Sequence, residues 1–195
     1  MKNKDFYEDY IKIFLEENSK VNLISKNDEK YLWEKHIYDS LAIKLFFEKY
    51  KLPKNLLDIG TGGGFPSVPV ALTYPQIRVT GIDSIAKKIR AVNSIKEKLQ
   101  LNNLELICAR VETLSQKYDV IVSRAVSSLK NVSQYALPLL EKNGYFVAYK
   151  SKKAEDEIKE AQTVLKKFKA QVVDILDYDL PLDDKLTRNL VVIKI

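Results

Sequence analysis

Four of the six glycines in this 195-residue chain fall between positions 60 and 64, inside LLDIGTGGGFPSVPVAL (Leu56 to Leu72). Leu56, Leu57 and Ile59 read as a short buried strand with one charge, Asp58. Gly60, Gly62, Gly63 and Gly64 then free the backbone for conformations closed to other residues and let a ligand approach the main chain. Pro66 suits the first turn of a helix, Val68 to Leu72 continue it, and Pro69 is still near enough its start to be tolerated. A strand, a glycine turn and a helix N-terminus make a small-ligand site at the carboxyl edge of a sheet. A turn without a ligand needs one or two glycines rather than four.

The spacing departs from a dinucleotide site. In G-x-G-x-x-G the third glycine would stand where this chain has Phe65. Asp58, two residues before the first glycine, would repel a pyrophosphate but suits a cationic ligand such as S-adenosylmethionine, which carries sulfonium and ammonium groups.

A net charge of +6 and a pI near 9.1 are compatible with an anionic partner such as nucleic acid, and equally with a lysine-rich solvated surface. A single cysteine, Cys108, excludes an internal disulfide. MKNKDFYEDY lacks the apolar core of a signal peptide. The longest uncharged stretch, Ile59 to Ile77, holds the glycine cluster and three prolines, which excludes a membrane helix there. A cytoplasmic protein without a membrane partner is expected.

Phe6, Tyr10, Ile13 and Phe14 predict a first helix to about Glu17, and Leu32, Trp33, Ile37, Leu41, Leu45 and Phe46 a second from Asp28 to Glu48. Pro53 closes this helical segment, placing a boundary between residues 1–52 and 53–195. Strands are then expected at Leu56–Gly60, Arg78–Asp83, Leu104–Ala109, Val120–Ser123, Tyr145–Tyr149, Val172–Leu176 and Leu190–Lys194. Helices fall at Pro66–Thr73, Ala86–Leu99, Val132–Leu140 and Ala154–Lys167. Such alternation predicts an α/β fold, a mostly parallel sheet with helices on both faces. The last two strands, joined by turn-like Pro181, Asp183 and Asp184, are expected to pair antiparallel. Seven strands ending in such a hairpin resemble the Rossmann-like methyltransferases.

Asp83 ends the second strand roughly 20 residues past the glycine turn, where an acid holds ribose hydroxyls of nicotinamide and adenosyl ligands alike, or caps the next helix. Arg110, Val111 and Glu112 would lie beside the adenine. After the fourth strand stand Ser123, Arg124 and Ala125, without the Asn/Asp-Pro-Pro-aromatic motif of exocyclic-amine methylation. Cys108 falls inside the third strand, where an inert core thiol is expected rather than the nucleophile of cytosine-5 methylation. An acceptor that is already nucleophilic, such as a ring nitrogen with a lone pair, remains. His36, the only histidine, shares a helix face with Asp39 and Ser40, and that polar face either meets the ligand cleft or serves the docking of the helical segment, the second being the more ordinary use of such a face. No metal site is expected.

VNLIS (Val21 to Ser25), HIYDSL (His36 to Leu41), LLDIGTGGGFP (Leu56 to Pro66), GIDSIAKK (Gly81 to Lys88), RVE (Arg110 to Glu112), SRA (Ser123 to Ala125) and RNLVVIKI (Arg188 to Ile195) together resemble the bacterial RsmG (GidB) family. The resemblance implies a Rossmann-like S-adenosylmethionine-dependent methyltransferase with a helical N-terminal extension, acting on N7 of a guanine in 16S ribosomal RNA, as naked RNA or an assembling small subunit. A monomer is expected. Carried over by motif, and joined with the reading above, the cofactor residues are Asp58, Gly60, Gly62, Gly64, Phe65, Asp83, Val111, Glu112 and Arg124. Arg124 and Lys150 are candidates for positioning the RNA, and Lys87, Lys88, Lys150, Lys152 and Lys153 for phosphate contacts. Ser67 and Ser151 stand where the family tends to glycine, and Lys88 where it tends to arginine. Two rival readings fit the residues: a methyltransferase of a protein or small molecule, and a non-enzymatic, nucleotide-sensing RNA-binding protein.

Overall fold

The computed structural model describes residues 3–151 and 154–195, so Lys152 and Lys153 lie outside the described residues. Seven strands form one sheet: β1 (Asn55–Ile59), β2 (Arg78–Asp83), β3 (Leu104–Cys108), β4 (Tyr118–Arg124), β5 (Leu140–Lys150), β6 (Gln171–Leu180) and β7 (Leu186–Lys194). Their order is β3-β2-β1-β4-β5-β7-β6. All neighbours from β3 to β5 run parallel, whereas β7 pairs antiparallel with both β5 and β6. The mixed sheet expected from the sequence is therefore present. Because the order reverses between β1 and β4, a crevice opens at their carboxyl ends, where open α/β sheets bind ligands.

Alternation along the central strands splits the core into two layers. Leu56, Val120, Val122, Val147, Leu190 and Val192 face one side, and Leu57, Ile121, Phe146, Ala148, Val191 and Ile193 the other. The second layer is covered by α7 (Leu129–Ala136) and α8 (Ala154–Lys167). On the first lie α5 (Ser67–Thr73) and α6 (Ala86–Lys98), and against α6 packs α1 (Glu8–Lys20). Tyr7, Tyr10 and Phe14 are buried in the same cluster as Phe65, Val68 and Val92, so the helical segment shares the core of the sheet. Glu17 holds α1 there, accepting from Lys98 and Lys20 at 2.9 Å and from Ser94 at 3.0 Å. These donors pull its carboxyl down to about 2.

The single helix expected from Asp28 to Glu48 is broken. The segment runs through α2 (Lys26–Glu29), a π-helical stretch at Leu32–Tyr38, α3 (Asp39–Leu41) and α4 (Ile43–Lys49). Hydrophobic spacing marks the buried stripe and is blind to a widened turn. Here the wide turn presents the Lys35 carbonyl to Arg124, which donates to it at 3.0 Å, a typical use of π-bulges near functional sites.

Cys108 is a second correction. It ends β3, an edge strand paired only with β2, and is exposed rather than part of the core. α7 also begins earlier than expected, because Ser128 caps it by accepting from the Asn131 N–H at 3.4 Å; its last turn gives way to a 3-10 turn at Leu137–Leu139, around Pro138. Strands β5, β6 and β7 run longer than their apolar cores, since backbone pairing continues through polar Asp177, Asp179 and Arg188. No helix among the described residues is long and apolar enough to cross a membrane.

Candidate active site

The glycine turn leaves β1 at Gly60, whose φ of 72° lies in the left-handed region. The N–H groups of Gly60 and Thr61 both donate to the Ile82 carbonyl, at 2.8 and 3.0 Å, which ties the turn to β2. A Cβ on Gly60 would lie 2.4 Å from Val126 Cγ2. Gly64, with φ at 88°, packs close to the first helices: a Cβ there would meet Val68 at 2.7 Å and Val92 at 3.0 Å.

Asp58 is fully buried beneath this turn. Its Oδ2 accepts from the Ser67 N–H at the start of α5 at 3.1 Å, while Oδ1 has no hydrogen-bond partner among the described residues. Burial raises its carboxyl to about 6, against the lowering effect of the Thr61 and Ser67 donors. The carboxylate thus braces the start of α5 and does not border the crevice, where a cationic ligand was expected to meet it.

Asp83 does face the crevice. Its Oδ2 accepts from the Gly62 N–H at 3.0 Å and its Oδ1 from the Ile85 N–H at 2.8 Å, so it braces the turn and caps the approach to α6 at once. Two adjoining cavities meet at Gly60, Asp83 and Val126. One, about 290 Å³, is bordered by Ser84, Arg110, Val111 and Glu112. The other, about 270 Å³, is bordered by Gly62, Phe65, Lys88, Arg124 and the loop residues Leu23 and Ile24. That loop is fixed by Asn18, whose Oδ1 accepts from the N–H groups of Leu23 and Ile24 at 2.8 and 2.9 Å. An elongated nucleoside fits this pair of cavities, with a carboxylate between them and a glycine backbone open to close approach. Phe65 lines the second cavity while remaining buried, being 3% exposed and packed on Phe14 with ring centroids 5.1 Å apart.

Arg124 ends β4 and links both layers of the site. Its Nη1 donates to Asp39 Oδ2 at 2.9 Å as well as to the Lys35 carbonyl, and its Nη2 lies 3.1 Å from His36 Nδ1. Its guanidinium sits 5.2 Å from the centre of the Phe65 ring, and the His36 ring packs on the same Phe65 at 5.1 Å. Burial and the adjacent Arg124 charge hold His36 down to about 4, so it is neutral at pH 7. With Arg124 donating to Nδ1, the imidazole proton is on Nε2. Tyr178 completes the cluster by donating to Asp39 Oδ1 at 2.6 Å, and Tyr149 donates to the Ser40 carbonyl at 2.7 Å. His36 and Asp39 therefore tie the helical segment to the end of β4, and His36 also borders the crevice.

After Arg124 the chain turns sharply at Ala125, which has φ at 56°, and this drops Val126 over Gly60. Beside it opens a larger cleft of about 560 Å³, sharing His36, Arg124 and Ala125 with the crevice. Lys150 lies in it with its ammonium engaged, donating to the Ser127 carbonyl at 2.9 Å and pairing with Glu157 at 2.8 Å. Lys35 pairs with Asp28 at 3.1 Å across the same cleft.

Gly60, Gly62, Phe65, Asp83, Val111, Glu112 and Arg124 thus converge on one crevice, while Asp58 and Gly64 support it from below. Sequence reasoning gave no role to Val126, Tyr149 or Tyr178. Only the SRA motif, which directly precedes Val126, hinted at one of those positions.

Fold and crevice define the class: the sheet order and topology are those of the S-adenosylmethionine-dependent methyltransferases. Solved structures agree. Precorrin-6y C5,15-methyltransferase from Geobacter metallireducens superposes with a TM-score of 0.60 at 14% identity, over 90% of this chain and 91% of that one. TehB from Haemophilus influenzae gives 0.57 at 17% identity, over 78% of this chain and 61% of that one. Within the class the chain belongs to the GidB family, rRNA small subunit methyltransferase G, whose model matches residues 3–185. Ribosomal RNA small subunit methyltransferase G of Staphylococcus aureus (strain Newman) is 37% identical over 185 residues, covering 92% of this chain and 77% of the relative.

Proposed function

We propose that this protein transfers a methyl group from S-adenosylmethionine to N7 of a guanine in the 16S RNA of the small ribosomal subunit, acting as a monomer in the cytoplasm. The observation that carries the reading is the pair of clefts sharing one wall, His36, Arg124 and Ala125, so that a nucleoside cofactor and an acceptor base can meet across it.

S-adenosylmethionine, when bound, supplies a methyl group on a positively charged sulfur. Asp83 would hold the ribose hydroxyls, Val111 and Glu112 would flank the adenine, and the Gly60 and Gly62 backbone would line the methionine end. Guanine N7 has an in-plane lone pair and no proton to lose. The chain's residues therefore have to bind, align and exclude water, and alignment alone is worth up to about 7–11 kcal/mol.

The proton positions agree with this economy. His36 presents N–H, not a lone pair, away from Arg124, and the Asp39 carboxylate is taken up by Arg124 and Tyr178. Neither is set to remove a proton from an acceptor. The acceptor must be unstacked or unpaired to enter a cleft of this size. The helical segment, residues 1–52, supplies one wall of that cleft through Lys35, His36 and Asp39.

Mass spectrometry of small-subunit RNA tests the proposal. Cells lacking the protein should lose one 7-methylguanosine, and the purified protein with S-adenosylmethionine should restore it. An unchanged modification profile would refute the assignment.

A further inference from the structure

Arg188 lies in β7 opposite Tyr178 and borders the larger cleft, half-buried. Its guanidinium makes no hydrogen bond or ion pair with any described residue, whereas every other cation of that cleft is matched. Lys35 has Asp28, Arg124 has Asp39 and Lys150 has Glu157. His36 is neutral at pH 7, so it adds no charge. The described walls of the cleft therefore carry one unanswered positive charge, and Arg188 is its source.

The donors of Arg188 remain open to the cleft, because no Arg188 nitrogen is among the buried atoms without a partner, so they are free to bind an anion that enters it. Its backbone is held by pairing with Tyr178 of β6, one residue beyond the last β5 pair, Lys150 with Asn189. A planar fork held on a rigid strand matches an anion with two coplanar oxygens, as in a phosphodiester. Arg188 does not border either cavity of the cofactor crevice, so the anion it meets belongs to the occupant of the larger cleft.

We propose that Arg188 is the phosphate clamp of the RNA acceptor: it pairs with a backbone phosphate at or next to the target nucleotide and so holds the RNA in the larger cleft. This rests on the methyltransferase reading above. One phosphate brings one negative charge, which balances the cleft. Lys35 and Lys150 remain with their carboxylates and shape the walls.

The test uses the full chain as Arg188→Gln and Arg188→Lys, with small-subunit RNA from cells lacking the protein. Glutamine should raise the KM for RNA about ten- to a hundredfold, the loss of a charge-assisted hydrogen bond. It should leave kcat and the affinity for S-adenosylmethionine unchanged. The slope of log affinity for RNA against log salt should fall by about 0.7–0.9, one phosphate contact fewer. Lysine should restore the slope and only part of the KM, because it keeps the charge and loses the fork. An unchanged KM and slope, or a fall in kcat with the slope intact, would overturn the clamp. Weakened cofactor binding would also overturn it, by assigning the anion to the cofactor's carboxylate. If the wild-type protein methylates no small-subunit RNA, the methyltransferase reading itself fails, and the clamp with it.

Discussion

Arg124 Nη1 lies 2.9 Å from Asp39 Oδ2, and this ion pair joins the end of β4 to the helical segment across the floor of the site. Both side chains are largely buried, at 14% and 8% exposure, and Asp39 has Tyr178 as its other partner. Removing Arg124 would leave a buried carboxylate without its cation. Arg124→Ala should cost about 3–5 kcal/mol in urea unfolding. Arg124→Lys should recover only part, since one ammonium cannot serve Asp39, His36 and the Lys35 carbonyl together. A loss under about 1 kcal/mol for the alanine variant would show that the pair does not hold the segment.

Gly60→Val should abolish binding of S-adenosylmethionine while the far-ultraviolet circular dichroism stays native-like. Its φ of 72° disfavours any side chain, and a Cβ would collide with Val126 over the crevice. Val126 is 45% exposed, so it can yield, which preserves the fold at the expense of the cavity. Calorimetry showing near-normal affinity would place the cofactor elsewhere.

Asp83→Ala should weaken the cofactor by about 1–3 kcal/mol, through the lost ribose contact and the loosened Gly62 turn. Asp83→Asn keeps one acceptor and should fall between. Neither the wild type nor either variant should bind NAD detectably; tight NAD binding would contradict the assignment.

Asp58 gives a pH signature. Its folded-state carboxyl is raised to about 6 from an ordinary 3.8, so the folded state holds its proton more tightly than the unfolded one. The stability this contributes is complete below pH 4 and is lost as pH rises towards 6, by about 3 kcal/mol. Asp58→Asn has no proton to lose. Its stability relative to wild type should therefore rise by about that amount between pH 3.5 and 7. A pH-independent difference in denaturant midpoints would mean that the buried carboxyl is not perturbed.

Cys108→Ser should keep full methyl transfer and lose under about 0.5 kcal/mol of stability, because the side chain is exposed at the end of β3. Attack by a ring nitrogen needs no thiolate, whereas cytosine-5 methylation does. A folded, cofactor-binding but inactive variant would end the lone-pair mechanism.

Much of this protein is local, and what is local was legible in the sequence. The glycine cluster, the strand before it and Asp83 after it define the turn at the crevice because φ preference and strand period are set by neighbouring residues. Helix–strand alternation sufficed for the sheet's class and its antiparallel end. Tertiary structure decided what depends on distant partners. The insertion of β7 between β5 and β6, the burial of Asp58 under its own turn and the exposure of Cys108 follow from which strands are central and which lie at an edge. The widened turn at Leu32–Tyr38 and the cluster of Lys35, His36, Asp39, Arg124 and Tyr178 join groups as far as 139 positions apart. No periodicity encodes such a meeting, because a buried guanidinium takes whichever acceptors the packed elements bring within reach.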